Sequence, residues 1–284
     1  MIEIQQGTPG SGKSAAAVAR AFLHLRKGGV VAANFSLVDG WADVLASRHV
    51  LSMLPFGFGE QFRYKLASGL HQRYYRVDTL DAIRALDPKQ LATGVYEANG
   101  KYMEGQGLLI LDEAQLVFNR RKWEDNLPWI EFFTQHRKLG WNVILIAHHQ
   151  EMIDGQIRPL CEYESRFRNL QKVKLPIIGL PMSPIPMFLV IRRYAGLGAG
   201  ASVIADRDLY PLPLWAAQLY DSMEVFSFRR KGDEVSEEQK QPRLCGPPPS
   251  PPCGGGGELF ARPAPRSSAA IDCLWSRWDA QQSA

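Results

Sequence analysis

A chain of 284 residues with 45% hydrophobic residues has material for one large or two modest domains, and its net charge of +4 is too mild to argue for nucleic acid by itself. Its four cysteines (Cys161, Cys245, Cys253 and Cys273) show neither zinc spacing nor a pairing scheme, which reads as a reducing compartment. No apolar run reaches the roughly 18 residues of a membrane helix. The nearest, 175–191, carries Pro176, Pro181, Pro184 and Pro186, so loop and strand are expected there. A strand begins within two residues of Met1, so no signal peptide is expected, and without a long apolar run no transmembrane helix is expected.

In chain order, Met1-Ile2-Glu3-Ile4 alternates and predicts a strand. Residues 7–14 read Gly-Thr-Pro-Gly-Ser-Gly-Lys-Ser and fill the phosphate-loop pattern G-x-x-x-x-G-K-[ST] at every position. Residues 14–26 are rich in Ala and Leu, lack Gly and Pro, and predict a helix. Strand, loop and helix in that order are the setting the motif needs, and they disfavour an incidental Gly/Ser turn. Gly7, Gly10 and Gly12 permit close approach of backbone N–H groups to a polyphosphate, and the helix N-terminus adds partial positive charge. Gly7, Thr8, Pro9, Gly10, Ser11, Gly12, Lys13, Ser14 and Ala15 are therefore the expected ATP contacts. Lys13 would reach the β- and γ-phosphates, and the Ser14 hydroxyl would hold Mg²⁺.

Lys27-Gly28-Gly29 ends that helix, and residues 30–35 read as a buried parallel strand. Asn34 closes it at the edge where nucleotide sites form. It is either a phosphate or water sensor or a strand-ending turn residue, and the turn is preferred. Residues 36–50 are expected to turn helical in their second half. In 51–76 Phe56, Phe58, Phe62, Tyr64, Tyr74 and Tyr75 interleave with Arg63, Lys65, His71, Arg73 and Arg76. That mixture suits single-stranded nucleic acid, or aromatics packed onto the domain, and packing is preferred. A short helix is expected over 78–86.

Residues 107–115, Gly-Leu-Leu-Ile-Leu-Asp-Glu-Ala-Gln, read as a buried strand delivering two carboxylates. Asp112 would hold Mg²⁺ and Glu113 would act as general base on water, which favours ATP hydrolysis. Two adjacent carboxylates repel unless a cation is close, so a purely structural role is disfavoured. Residues 116–123 are basic, 129–139 read as helix and 141–147 as another buried strand. His148, His149 and Gln150 follow it, and Gln150 or His148 is placed to contact the γ-phosphate. Adjacent histidines in an extended strand face opposite ways, which disfavours a metal site there. Arg137, Arg158, Arg166 and Arg168 are candidates for an arginine finger. A strand over 188–191 and a short element over 220–228 complete residues 1–230. From about Lys231 composition changes: residues 241–266 hold eight Pro and five Gly, so 231–284 is expected to be a disordered tail.

The expected fold is α/β, a P-loop NTPase with a mostly parallel sheet flanked by helices. The phosphate loop, Asn34, Asp112-Glu113-Ala114-Gln115, His136-Arg137, Gly140, Gln150, Ile153-Asp154, Ile157-Arg158 and Tyr220-Asp221-Ser222 together resemble the cytoplasmic domain of the zonular occludens toxin (Zot) family, phage assembly proteins related to the gene I product. The resemblance covers roughly residues 1–228. It implies an ATPase of the additional-strand, catalytic-glutamate type with ATP and Mg²⁺ as cofactors, driving extrusion of single-stranded phage DNA. It also implies a homo-oligomeric ring, phage assembly and membrane partner proteins, and a place in the host bacterial cytoplasm against the inner membrane. Where the family has a transmembrane helix, this chain has its Pro/Gly-rich stretch, so the toxin property of some members is not carried over. Two alternatives are a nucleotide-gated docking or toxin-like protein with little turnover and a small-molecule P-loop kinase, for which no lid or acceptor pocket is visible.

Overall fold

The computed structural model describes residues 1–49, 58–93, 103–118, 124–172, 187–195, 203–211, 214–220 and 241–249. Among these, nine strands form one sheet: β1 (Ile2–Gln6), β2 (Val30–Ala33), β3 (Tyr74–Arg76), β4 (Gly107–Leu111), β5 (Trp141–Ala147), β6 (Tyr163–Asn169), β7 (Met187–Tyr194), β8 (Ile204–Pro211) and β9 (Arg243–Leu244). The helices are α1 (Lys13–Arg26), α2 (Trp41–Ser47), α3 (Phe58–His71), α4 (Leu80–Arg84), α5 (Pro88–Leu91), α6 (Ala114–Val117), α7 (Leu127–Gln135) and α8 (Leu214–Gln218).

The sheet order is β8-β7-β6-β1-β5-β4-β2-β3-β9. From β6 to β3 every neighbouring pair is parallel, and β7, β8 and β9 are antiparallel at the two edges. Strands covered on both faces must be apolar throughout, which is why β2 and β4 read as unbroken runs and are wholly buried. β5 lies between β1 and β4. The strand leading into the phosphate loop and the strand delivering the carboxylates are thus separated by one added strand, as the expected fold requires.

Each face carries its own core. Ile4, Leu109, Leu111, Val143 and Leu145 pack against Phe118, Trp129 and Phe133 from the α6–α7 side. Val31, Ile110, Ile144 and Ile146 pack against Val18, Phe22, Leu25, Trp41 and Tyr74 from α1, α2 and the edge. Each large apolar side chain so buried contributes roughly 1.5–3 kcal/mol, and together they fix the strand ends on which the site is built.

The aromatic-basic stretch divides. Tyr74 is fully buried with its ring 5.4 Å from that of Trp41, and Phe62 lies 4.9 Å from His49, while Phe58 is 68% exposed. Residues 241–249 fall within the stretch that composition assigns to the tail, yet they fold onto the body. Arg243–Leu244 pairs with β3, Cys245 is buried, and its carbonyl accepts the indole N–H of Trp41 at 3.2 Å. Composition hides this because the contacts are made by a few scattered groups: Cys245, Arg243 paired with Asp78, and the Gly246 carbonyl against His71. Phe56, the basic residues 120–122, the proline run 176–186, the element over 221–228 and residues 250–284 lie outside the described residues.

Candidate nucleotide-binding and catalytic site

β1 ends at Gln6, the chain turns through 7–12, and α1 begins at Lys13. Gly10 and Gly12 hold φ of 70° and 85°, in the left-handed region that favours glycine. A Cβ on Gly12 would stand 2.7 Å from the Phe188 ring, and one on Gly7 would stand 2.7 Å from the Phe167 carbonyl and from Ser11 Oγ. β6 and β7 therefore back the loop and press it into a tight concavity. No side chain caps the start of α1, which leaves its first N–H groups for a ligand. Ser11 Oγ is buried there with no protein partner. Unpaired donors, an orphaned hydroxyl and room only for glycine together fit a polyphosphate. Lys13 is folded inward, its Nζ donating to the carbonyls of Gly7 (2.7 Å) and Thr8 (3.2 Å). Burial lowers its pKa, and the charges of Asp112 and Glu113 oppose that shift.

The end of β4 delivers the carboxylates. Asp112 Oδ2 accepts the Ser14 hydroxyl at 2.9 Å and the Tyr220 hydroxyl at 2.8 Å, and Asp112 Oδ1 accepts the Glu113 backbone N–H at 2.8 Å. Ser14 Oγ and Asp112 Oδ2 form a pair of hard oxygen donors of the kind that binds Mg²⁺ together with phosphate oxygens and water. Asn34 is buried; its side-chain oxygen accepts the Asp112 N–H and its Nδ2 donates to the Asp112 carbonyl, both at 2.8 Å. It is a brace for Asp112, which neither the sensor nor the turn expectation describes. Glu113 has φ 51°, the one positive value at a non-glycine among the described residues. Such strain persists where the surroundings impose it, commonly at functional sites. Its carboxylate accepts the Gln115 side-chain amide and lies 3.4 Å from His148 Nε2.

Of the two residues expected to contact the γ-phosphate, His148 is the one set against Glu113. Gln150 is tied by its backbone N–H to Gln6 Oε1 at 3.2 Å, and Gln6 Nε2 donates to Glu164. Arg166 joins that cluster through Glu164 at 3.3 Å and is level with Gln6 in register, near the phosphate loop. Arg168 is exposed on the same strand, and Arg158 is half-buried in a 3-10 turn. Arg137 leads into the start of β5 and pairs with Glu104 at 2.9 Å, at the opposite end of the strands from the loop. It therefore lies far from the phosphate loop of its own chain.

Two further residues of the family pattern, His136 and Asp154, make contacts within the fold. His136 is buried and its Nδ1 pairs with the Phe133 carbonyl at 2.6 Å, and burial lowers its pKa. Asp154 is buried, accepting the Asn126 amide at 2.6 Å and the Gln156 N–H at 3.0 Å, between buried Ile153 and Ile157. These contacts lock α7 and the loop after β5 behind the sheet. Tyr220 and Gln6 stand beside the site, Tyr220 through Asp112 and Gln6 through Gln150, and had no role from sequence; Tyr220 was visible only as part of the family pattern. Burial, followed by the Asp112 charge, pushes the Tyr220 phenol well up, so it stays a hydrogen-bond donor.

A parallel sheet with a phosphate loop after β1, an added strand, and Asp-Glu at the end of β4 defines a P-loop NTPase of the additional-strand class. The family described as Zonular occludens toxin (Zot) matches residues 70–222, more than half of the chain, and the chain belongs to that family. The Gene 1 protein of Enterobacteria phage I2-2 is 30% identical over 243 residues, covering 81% of this chain and 58% of that protein. The Gene 1 protein of Escherichia phage If1 is 32% identical over 165 residues, covering 52% of this chain and 45% of that protein. The chain thus spans about half the length of these curated relatives. Among solved structures, the N-terminal domain of zonular occludens toxin from Neisseria meningitidis aligns with a TM-score of 0.40 at 16% identity, covering 78% of this chain and 98% of that one. The ATPase domain of G40P aligns with a TM-score of 0.45 at 12% identity, covering 78% and 84%. Among the described residues no helix is long and apolar enough to cross a membrane.

Proposed function

We propose that this chain binds and hydrolyses ATP as the motor part of a filamentous-phage assembly protein, driving virion assembly and extrusion of single-stranded DNA at the host inner membrane. The observation that carries it is the convergence of Ser14, Asp112 and Glu113 at the mouth of the phosphate loop. Mg²⁺ held at Ser14 and Asp112 would neutralise charge on the β- and γ-phosphates. Lys13 exchanges the Gly7 and Thr8 carbonyls for phosphate oxygens. Glu113 takes a proton from the attacking water, and His148 beside it fixes the carboxylate's orientation. Asn34 holds the Asp112 backbone still, so its carboxylate keeps one aim throughout the cycle.

On this reading residues 1–230 form one NTPase unit with 241–249 folded back on it, and the rest of 231–284 is a tail. Copies assemble into a ring on the cytoplasmic face of the membrane with phage assembly proteins. Arg137, Arg158 and Arg166 are the candidates for an arginine that reaches a neighbour's phosphate loop. The reading draws support from the Gene 1 proteins of filamentous phages among the relatives.

The test is phosphate release from ATP by the purified chain, with and without single-stranded DNA, beside Glu113→Gln. DNA-stimulated turnover that the variant loses supports a DNA-export motor. Turnover indifferent to DNA assigns the work to protein cargo. Absence of turnover in every condition would leave a nucleotide-gated docking protein.

A further inference from the structure

The mouth of the phosphate loop holds one group that hydrolysis does not require. Asp112 Oδ2 accepts two hydrogen bonds, from Ser14 Oγ and from the Tyr220 hydroxyl. A carboxylate oxygen offers about two acceptor positions, so this oxygen is filled. The two donors differ in what they leave available. Ser14 can keep its proton on Asp112 while an oxygen lone pair faces a cation. Tyr220 takes the remaining acceptor position of Oδ2, on the oxygen that Asp112 shares with Ser14.

Tyr220 also sits where a local movement would propagate. Its backbone forms an antiparallel bridge with Leu37, and the Val38 N–H donates to the Leu219 carbonyl at 3.0 Å. Its ring meets Phe35 edge-on at 5.0 Å. Leu37 is in turn tied to Cys245, whose sulfur accepts the Leu37 N–H at 3.1 Å. Phe35 and Leu37 follow Asn34, which grips the Asp112 backbone. Withdrawal of one hydroxyl from Asp112 thus bears on both C-terminal segments that pack on the body, 214–220 and 241–249.

We infer that the Tyr220 hydroxyl occupies the cation-facing position on Asp112 and must yield it when Mg²⁺ binds, so that Tyr220 is a positioning residue coupling metal loading to the 214–220 segment. The inference rests on the nucleotide reading of this site. Loading with metal and nucleotide releases Tyr220 from Asp112, and losing the cation draws it back.

The experiment compares wild-type protein with Tyr220→Phe, which keeps the ring against Phe35 and removes only the hydroxyl. Affinity for a fluorescent ATP analogue is measured in EDTA and in saturating Mg²⁺, and the thermal midpoint in EDTA checks folding. The expected result is an unchanged affinity in EDTA and a tighter affinity in Mg²⁺, on the order of tenfold, as loss of one competing hydrogen bond to a charged group gives. Hydrogen exchange adds a readout independent of affinity: in wild type the Val38 amide should exchange faster with Mg²⁺ and nucleotide than with nucleotide in EDTA. An unchanged or weaker Mg²⁺ effect in Tyr220→Phe would overturn the inference, since the hydroxyl would then be indifferent or would aim Asp112 at the cation. If wild type binds the analogue in neither condition, or Lys13→Ala binds it normally, the reading of the site falls first. That failure is distinct from binding that is intact but not coupled through Tyr220.

Discussion

The side chain of Asn34 and the backbone of Asp112 pair in both directions, donor to acceptor and acceptor to donor, at 2.8 Å each. The two residues follow neighbouring strands, β2 and β4, so the pair ties the strand ends together just where Asp112 leaves the sheet. Asn34→Leu would leave a buried N–H and a buried carbonyl unpaired, at a cost of about 1–3 kcal/mol each. For a domain of this size that lowers the thermal midpoint by roughly 2–4 °C per kcal/mol. Asn34→Asp should be at least as damaging, because it sets an oxygen against the Asp112 carbonyl and a charge beside its carboxylate. Thermal unfolding checks both, and midpoints within a degree of wild type would show that the brace is dispensable.

Glu113 and Lys13 should separate chemistry from binding. Glu113→Gln keeps the shape and the left-handed backbone but removes the base, so turnover should fall by about 10²–10⁴-fold with ATP affinity retained. Lys13→Ala should weaken ATP binding itself, because the ammonium that would leave the Gly7 and Thr8 carbonyls for phosphate oxygens is gone. Equilibrium binding alongside phosphate release distinguishes the two. A Glu113→Gln variant that turns over normally would remove Glu113 from the mechanism.

The central sheet was legible because burial on both faces writes itself as unbroken apolar runs, as in Val143-Ile144-Leu145-Ile146. The loop and the Asp-Glu pair could be placed between β1 and α1 and at the end of β4 because their residue types recur at a fixed spacing. β6 was not, since Tyr163-Glu164-Ser165-Arg166-Phe167-Arg168-Asn169 carries polar partners specific to this fold: Ser165 donates to buried Glu3 at 2.6 Å. On Glu3 burial works to raise the carboxyl pKa, and Arg20 with Ser165 outweighs it and holds the group below its ordinary value. Phe188 reaches Gly12 of the loop, and Tyr220 reaches Asp112, across more than 100 residues of chain in each case, and no local pattern marks such contacts. Cys245 is the same case, a cysteine in a proline-rich stretch that packs beside Leu37 and Trp41.

Gly12 is constrained twice, by its dihedral and by the Phe188 ring. Gly12→Ala should cost about 1–2 kcal/mol for the left-handed backbone alone, with steric overlap in addition. Removing the ring in Phe188→Ala is itself expensive, at about 3–5 kcal/mol for a buried phenylalanine. In that background, however, Gly12→Ala should cost less than in wild type without becoming free, because the dihedral penalty remains. A double-mutant cycle on denaturant unfolding measures this. Equal cost in both backgrounds would mean the ring and the loop do not press on each other.

Cys161 is buried after the turn Arg158–Leu160, its sulfur 3.5 Å from the Ile157 carbonyl. Burial first, then the charge of Glu162, pushes its pKa from 9.0 up to about 12. A thiol raised in the folded state stays protonated where the unfolded chain would ionise. Its contribution to stability is therefore complete below pH 9 and is lost as pH rises from 9 toward about 12. The same shift slows chemistry, because the thiolate is the nucleophile. At mildly alkaline pH the folded protein should alkylate at Cys161 about a thousandfold more slowly than the denatured chain, from ionisation alone. Peptide mapping after timed iodoacetamide treatment, with and without denaturant, reads Cys161 apart from the other three cysteines. Labelling of Cys161 in the folded protein at the denatured rate would mean that the turn opens readily. The loop after β5 could then not serve as a fixed support for His148 and Glu113.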